Sequence, residues 1–110
     1  MTCQVVILRQ AEQDLRELRG NLVKTFGQAV WQSCYADIKA AITNLAAFPH
    51  SGAIPDALDQ LQLVQYRQII SGNNRIIYEV RDKTVYIHVN VDGRRDMKSV
   101  LTRRLLRSEE

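Results

Sequence analysis

The spacing of the apolar residues changes once along this chain, and that change most constrains the fold. In the first half, apolar residues recur every three or four positions, which is the period of one helix face. Gly27 divides this half into two stripes, which comprise Ala11, Leu15, Leu18, Leu22 and Phe26, followed by Trp31, Cys34, Tyr35, Ile38, Ile42 and Leu45. Two amphipathic helices separated by one glycine predict an antiparallel helical hairpin, which Pro49 ends.

The second half has the period of two that indicates β-strands. Val85, Ile87, Val89 and Val91 alternate with polar residues, which predicts a strand with one buried and one exposed face. Residues 61–70 and 75–81 are predicted as two further strands, because a tight-turn sequence of Ser, Gly and Asn separates them. Residues 3–9 predict an N-terminal strand, and residues 97–107 predict a short C-terminal helix capped by Asp96.

These elements predict an α+β fold with an N-terminal strand, a helical hairpin, a three-stranded antiparallel meander and a short C-terminal helix. One face of the sheet would pack on the hairpin and the other would stay open. The length of 110 residues assigns residues 1–110 to a single domain. No apolar run reaches the roughly 20 residues that span a bilayer, and the first ten residues do not resemble a signal peptide. A cytoplasmic location is therefore expected, with Cys3 and Cys34 as free thiols.

Charge is distributed unevenly between the two halves. Residues 1–60 carry five basic and six acidic side chains, for a net charge of −1, whereas residues 61–110 carry ten basic and six acidic ones, for a net charge of +4. A basic half favours an acidic partner, such as a nucleic acid or an acidic peptide. The alternative is a solvated surface that is rich in arginine.

The predicted meander contains a group of basic and polar residues, which comprises Arg67, Arg75, His88, Asn90, Arg94 and Arg95. Adjacent antiparallel strands would bring them together on the open face. An arginine fork suits a phosphate group, and a histidine with a pKa near neutrality suits proton transfer. The alternatives are arginines that contact a partner and a histidine without a chemical role. No Gly-rich phosphate loop, metal-ligand spacing or Ser/His/Asp set is present, so neither a cofactor nor a metal site is predicted.

Three segments of the second half carry a family resemblance, namely residues 66–70 (YRQII), 74–80 (NRIIYEV) and 89–96 (VNVDGRRD). An arginine followed by two apolar residues and tyrosine, and then a last strand that ends in Gly-Arg-Arg-Asp, resembles the RelE/ParE family. This family comprises toxins of type II toxin–antitoxin systems, including plasmid stabilisation proteins. Residues 11–15, 26–27 and 45–49 agree with the same family, so the resemblance covers nearly the whole chain.

The resemblance implies a toxin that arrests growth and is neutralised by a cognate antitoxin wrapped around it. RelE-like members cleave messenger RNA in the ribosomal A site, whereas ParE-like members poison DNA gyrase. If the chain is a metal-independent endoribonuclease, Arg67, Arg75 and Arg95 match basic catalytic positions of the family and His88 would transfer the proton. In either case Arg75, Arg94 and Arg95 are expected to contact acidic side chains of the antitoxin.

Two positions depart from the ribonuclease pattern. Leu101 stands where some of these enzymes have a tyrosine, and Asp92 stands where many relatives have a histidine. These departures and the long helical hairpin favour a ParE-like gyrase poison over a ribosome-dependent ribonuclease. A third possibility is a degenerate toxin that only binds its antitoxin. The sequence does not predict an oligomeric state.

Overall fold

The computed structural model describes residues 3–94 and 96–105, with the side chain of Ala57 excepted. The elements are β1 (Gln4–Ile7), α1 (Arg9–Phe26), α2 (Gln28–Ala47), α3 (Asp56–Gln60), β2 (Tyr66–Ser71), β3 (Asn74–Arg81), β4 (Thr84–Asp92) and α4 (Met97–Leu105). The predicted α+β order is therefore confirmed. The predicted C-terminal helix is present through Leu105, and its last two predicted residues, 106–107, lie outside the described part of the chain.

The helical hairpin forms because its two apolar stripes share one core. Gly27 joins the helices with a φ of 97°, a value in the left-handed region that favours glycine. The first core cluster contains Ala11 from α1, Ile38, Ile42 and Leu45 from α2, and Ile76, Tyr78, Val85 and Ile87 from the sheet. The hairpin thus covers one face of the sheet, called here the hairpin face.

The sheet has four strands in the order β1-β4-β3-β2. The predicted antiparallel meander is confirmed, since β2 pairs with β3 and β3 pairs with β4, both antiparallel. The N-terminal strand adds to β4 in parallel, with Gln4 opposite Thr84 and Ile7 opposite Ile87. Because β1 ends there, no strand among the described residues borders the outer edge of β4 from His88 onward.

A β-bulge corrects the prediction of strict alternation along β4. Tyr78 pairs with Ile87 and Ile77 pairs with Val89, so His88 is an extra residue without a partner in the ladder. The bulge changes which residues face each side. Val85 and Ile87 pack on the hairpin face, whereas Val89 and Val91 belong to a second core cluster on the opposite face.

The opposite face is covered, so the prediction of an open face is wrong. Its core cluster includes Leu58 from α3, Ile77, Val89 and Val91 from the sheet, and Met97, Val100, Leu101 and Leu105 from α4. We call it the α4 face. The predicted strand over residues 61–70 is also corrected, since β2 begins at Tyr66 and the short helix α3 precedes it. Asp96 caps α4 as predicted, because its carboxylate accepts hydrogen bonds from the Ser99 backbone N–H and hydroxyl.

Within the described residues, no helix combines the length and the apolar character needed to cross a membrane.

Candidate functional site

Arg67 lies on β2 and holds a loop against the sheet edge. Its Nη1 donates a hydrogen bond to the Gly52 carbonyl at 2.7 Å, and the Gly52 N–H donates to the Tyr78 hydroxyl at 2.9 Å. A Cβ at Gly52 would lie 2.6 Å from the Gln68 carbonyl oxygen, so only glycine fits this approach. Burial raises the pKa of Tyr78, although the Gly52 N–H, Arg67 and Ser51 oppose that rise.

Arg75 lies on β3 on the other face of the sheet. Arg67 pairs with Tyr78, which belongs to the hairpin-face core, whereas Arg75 pairs with Val91, which belongs to the α4-face core. Directly opposed residues in an antiparallel pair point to the same face, so Arg67 and Arg75 point to opposite faces. The expected convergence of these two arginines is therefore not found. The side chain of Arg75 instead lies against Gly93, because a Cβ built on Gly93 would be 2.7 Å from Arg75 Nε.

His88 occupies the bulge and is largely buried, with 14% of its side chain exposed. Its Nε2 lies 3.1 Å from Glu79 Oε1, and its ring meets the Tyr66 ring edge to face at 5.1 Å. Burial lowers the pKa of His88, while Glu79 opposes the change and Arg81 and Arg104 add to it. The buried environment therefore favours the neutral form of the His88 ring. Glu79 is four residues from Arg75 along β3, which places the histidine and this arginine about 13 Å apart in strand length.

The remaining two predicted arginines follow β4. Arg94 is 82% exposed and binds the Asp92 carboxylate through Nε and Nη2, with a shortest distance of 2.8 Å. That carboxylate raises the pKa of Arg94. Arg95 lies outside the described residues. Of the predicted arginines that the structure describes, Arg75 and Arg94 lie near the same end of the sheet, beside Gly93.

Asp14 and Arg104 form an ion pair that the sequence did not reveal. Arg104 Nη1 lies 2.9 Å from Asp14 Oδ1, with only 14% and 10% of the two side chains exposed. Asp14 lies in the second turn of α1, which starts at Arg9, and Glu12 is the acidic residue of the first turn. The sequence feature that could have indicated this pair is Arg104, a basic residue that lies beside the apolar positions of the short amphipathic helix α4.

This ion pair caps the open edge of β4. Arg104 Nη2 donates to the His88 carbonyl at 2.8 Å, and Asp14 Oδ2 accepts from the Asn90 backbone N–H at 3.0 Å. These are the groups that would pair with β1 if that strand continued past Ile7. Unpaired backbone groups are costly when buried, so the two side chains replace the missing strand.

Asn90 is buried rather than exposed, because the bulge turns it towards α1. It pairs with Ile76 on the hairpin face and is only 1% exposed. Its Nδ2 and Oδ1 have no hydrogen-bond partner among the described residues. Leaving such a group unsatisfied costs roughly 1–3 kcal/mol.

Two adjoining clefts lie between α1 and the end of β4. The first, of about 430 Å³, is lined by residues that include Asp14, Leu18 and Asn90. The second, of about 520 Å³, extends towards α2 and the β2–β3 turn. They share Leu18, Leu22, Phe26, Asp92 and Arg94. We call the two clefts together the α1 groove. Its wall includes Phe26, an aromatic residue that is 65% exposed.

The described part of the chain contains no group of three or more His, Cys, Asp or Glu side chains placed to hold a metal ion. The α1 groove offers apolar contacts, the two buried carboxamides of Asn74 and Asn90, and several other polar and charged side chains. Such a groove suits a segment of another protein.

Comparison with solved structures shows the fold. The chromosomal ParDE toxin–antitoxin system from P. aeruginosa gives a TM-score of 0.69 at 16% identity, covering 83% of this chain and 96% of that one. A mutant of the E. coli toxin RelE in the free state gives a TM-score of 0.62 at 14% identity, covering 98% and 99% of the two chains. No curated protein gives a significant sequence match.

The sequence model of the ParE toxin of type II toxin–antitoxin systems, parDE, matches residues 5–97. This match runs from β1 through the hairpin and the meander to the first residue of α4. It includes all the residues that line the α1 groove. The chain therefore belongs to the ParE family of toxins from type II toxin–antitoxin systems.

Proposed function

We propose that this toxin arrests growth by binding and poisoning DNA gyrase rather than by cutting RNA. The observation that carries the proposal is the separation of the groups that a ribonuclease would need together. Arg67 and Arg75 point to opposite faces, and His88 bonds to Glu79 near the other end of β3. A general acid or base has to lie within hydrogen-bond reach of the reacting group, beside the groups that hold the phosphate.

A ribosome-dependent endoribonuclease is the second candidate. In its favour are the fold similarity to RelE and the position of Arg75 beside the segment that leads to Arg95. His88 would then be the residue that transfers the proton, since its neutral ring can accept one. Both proposed targets, gyrase and the ribosome with its messenger RNA, would place the toxin's action in the cytoplasm.

An antitoxin is proposed to neutralise the toxin by binding the α1 groove and the basic end of the sheet. Phe26 offers exposed apolar area, and Arg75 and Arg94 lie beside the end of β4. Acidic side chains of the antitoxin would pair with these arginines and with Arg95. Affinity should then fall as salt rises, because exposed ion pairs are screened. A titration in which affinity does not change with salt would contradict the electrostatic part.

The two targets are separated by inducing the toxin and measuring DNA supercoiling, messenger RNA cleavage and translation in parallel. A gyrase poison should inhibit supercoiling by purified gyrase and leave ribosome-bound messages intact. His88→Ala should remain toxic, because gyrase binding involves no proton transfer. Arg75→Ala should weaken target binding only partly. Arg19→Ala, on the exposed surface of α1, serves as the matched arginine control.

A ribonuclease predicts the opposite pattern. Cleaved messages should then appear, and His88→Ala should reduce cleavage by about 10²–10⁴-fold while still folding. Arg75→Ala and Arg95→Ala should each reduce it by about 10²–10³-fold, the usual value of one transition-state contact. That result would overturn the gyrase proposal. A chain that binds its antitoxin but is not toxic would instead identify a degenerate toxin.

A further inference from the structure

The helical hairpin extends beyond the sheet that it covers. Cys34 in α2 contacts Asn74, the first residue of β3, and Asn74 pairs with Asp92, the last residue of β4. Gly27 lies seven residues before Cys34, so about 10 Å of the hairpin overhangs the end of the sheet. The apolar side chains on this overhang belong to neither core cluster, and they comprise Leu22, Phe26 and Val30. The overhang is thus a helix face that neither core covers.

The α1 groove, which the overhang borders, carries more acidic than basic side chains. Its charged lining residues are Asp14, Glu17, Asp37, Asp92 and Arg94. Two of the four carboxylates are already neutralised, because Arg104 binds Asp14 and Arg94 binds Asp92. The groove therefore keeps two uncompensated negative charges on a chain whose net charge is +3.

The two remaining carboxylates lie level with each other on the two helices. Glu17 and Asp37 are each ten residues from Gly27, and an antiparallel hairpin places such positions side by side. Glu17 lines one cleft and Asp37 the other, and both are exposed. Neither has an ion-pair partner among the described residues. Packed helices are about 8–10 Å apart between their axes, so one cationic group can lie between the two carboxylates.

We infer that the α1 groove binds an antitoxin segment in which an arginine or lysine stands next to apolar side chains. The cationic group lies between Glu17 and Asp37, and the apolar side chains cover the overhang at Phe26 and Val30. The inference rests on the proposed antitoxin partner and adds the chemistry that the groove selects. Basic side chains of the antitoxin bind in the groove, whereas its acidic ones bind the arginines at the end of the sheet. The charge pattern thereby fixes the direction in which the segment lies.

Other occupants fit this surface less well. A nucleic acid or a wholly acidic segment would bring negative charges against Glu17 and Asp37, and like charges at close range repel. A second copy of this chain is disfavoured by area. The three apolar side chains of the overhang offer much less than the roughly 800 Å² that each partner buries in a stable interface.

The test neutralises both carboxylates in the full chain by combining Glu17→Gln with Asp37→Asn. The probe is the purified antitoxin encoded beside the toxin gene, titrated at low ionic strength, where screening is weakest. We expect Kd to rise roughly three- to tenfold, the usual value of two exposed ion pairs. The urea midpoint should stay close to that of wild type, because both side chains are exposed. The matched control combines Glu12→Gln with Asp82→Asn, which removes the same charge from exposed positions outside the groove and should leave Kd nearly unchanged.

The direction of the change separates the possible occupants. A lower Kd in the groove variant would show that the bound segment is acidic, and a Kd equal to that of the control would show that water solvates the two carboxylates. Either result would overturn the inference. Failure of wild type to bind the antitoxin at all would instead overturn the proposed function.

A second measurement identifies the basic residue itself. Each arginine and lysine of the antitoxin is replaced by glutamine and titrated against wild type and against the groove variant. One replacement should weaken binding to wild type but cost nothing further in the groove variant, because the two changes remove the same interaction. Additive losses for every arginine and lysine would contradict the inference.

Discussion

The two halves of β4 have the same alternating sequence but bury their apolar residues on opposite faces of the sheet. Val85 and Ile87 pack under the helical hairpin, whereas Val89 and Val91 pack under α4. The extra residue His88 at the bulge separates the two halves. One unpaired residue therefore moves the apolar positions of the alternating pattern from one core to the other.

The two halves also differ in how their outer edge is satisfied. The first half pairs with β1, whereas the second half relies on the side chains of Asp14 and Arg104. Because side chains rather than a strand satisfy this edge, space remains beside the second half of β4, and the α1 groove opens there. A groove for a partner thus follows from ending the neighbouring strand early.

The largest expected effect comes from emptying each core separately. Ile38→Ala on the hairpin side and Leu101→Ala on the α4 side remove fully buried side chains, so each should cost roughly 2–5 kcal/mol of unfolding free energy. Leu15→Ala, at a half-buried position, should cost less than Ile38→Ala. Urea midpoints measure all three. Hydrogen exchange should show faster opening of α4 in Leu101→Ala alone, and equal opening of both faces would mean that the two cores are one cooperative unit.

The next largest loss of unfolding free energy is expected from breaking the side-chain cap that Asp14 and Arg104 form on the edge of β4. Asp14→Ala leaves the buried Arg104 guanidinium without its carboxylate and frees the Asn90 N–H, so we expect a loss of about 3 kcal/mol. The control is Asp92→Ala, which breaks the exposed pair with Arg94 and should leave the urea midpoint close to that of wild type. Equal losses in both variants would show that the cap does not support the second half of β4.

Replacing two glycines should move stability in opposite directions. Gly52→Ala places a methyl group 2.6 Å from the Gln68 carbonyl oxygen and 2.7 Å from the Tyr78 hydroxyl, which should cost about 1–3 kcal/mol. Gly20→Ala meets no atom within 4 Å and sits inside α1, so it should add about 0.5–1 kcal/mol. Thermal unfolding measures both. A neutral Gly52→Ala would mean that the loop is not fixed to the hairpin side of the sheet.

The smallest expected effect is the pH response of the bulge. Burial lowers the pKa of His88 in the folded chain below its unfolded value of about 6.5. The folded chain therefore binds fewer protons, and the stability that His88 contributes is present above about pH 6.5 and is lost as pH falls towards its folded pKa. Urea midpoints across pH 5–7.5 should fall less for His88→Gln than for wild type. His50→Gln, at an exposed loop position, should follow wild type, and parallel curves for all three would contradict the assignment.

The amino-acid sequence by itself determined the order of the main elements, although not the short helix α3 or the start of β2. The period of three to four residues around Gly27 specified the hairpin, because helix faces recur at that spacing whatever packs against them. The turn residues at 71–74 specified the meander, and Asp96 specified the start of α4, because these signals act within a few residues. The order of the arginine and tyrosine motifs along the chain indicated the family in the same local way.

Only the tertiary structure decided which face each residue joined. The alternation in β4 is equally compatible with a regular strand and with a bulged one, since the choice depends on register with β3. The separation of Arg67 from Arg75 follows from pairing across two strands, and the Asp14–Arg104 pair joins residues 90 positions apart. The burial of Asn90 follows from the bulge, which turns its side chain to the hairpin face. Such contacts depend on how distant segments pack, and no local spacing in the chain encodes that arrangement.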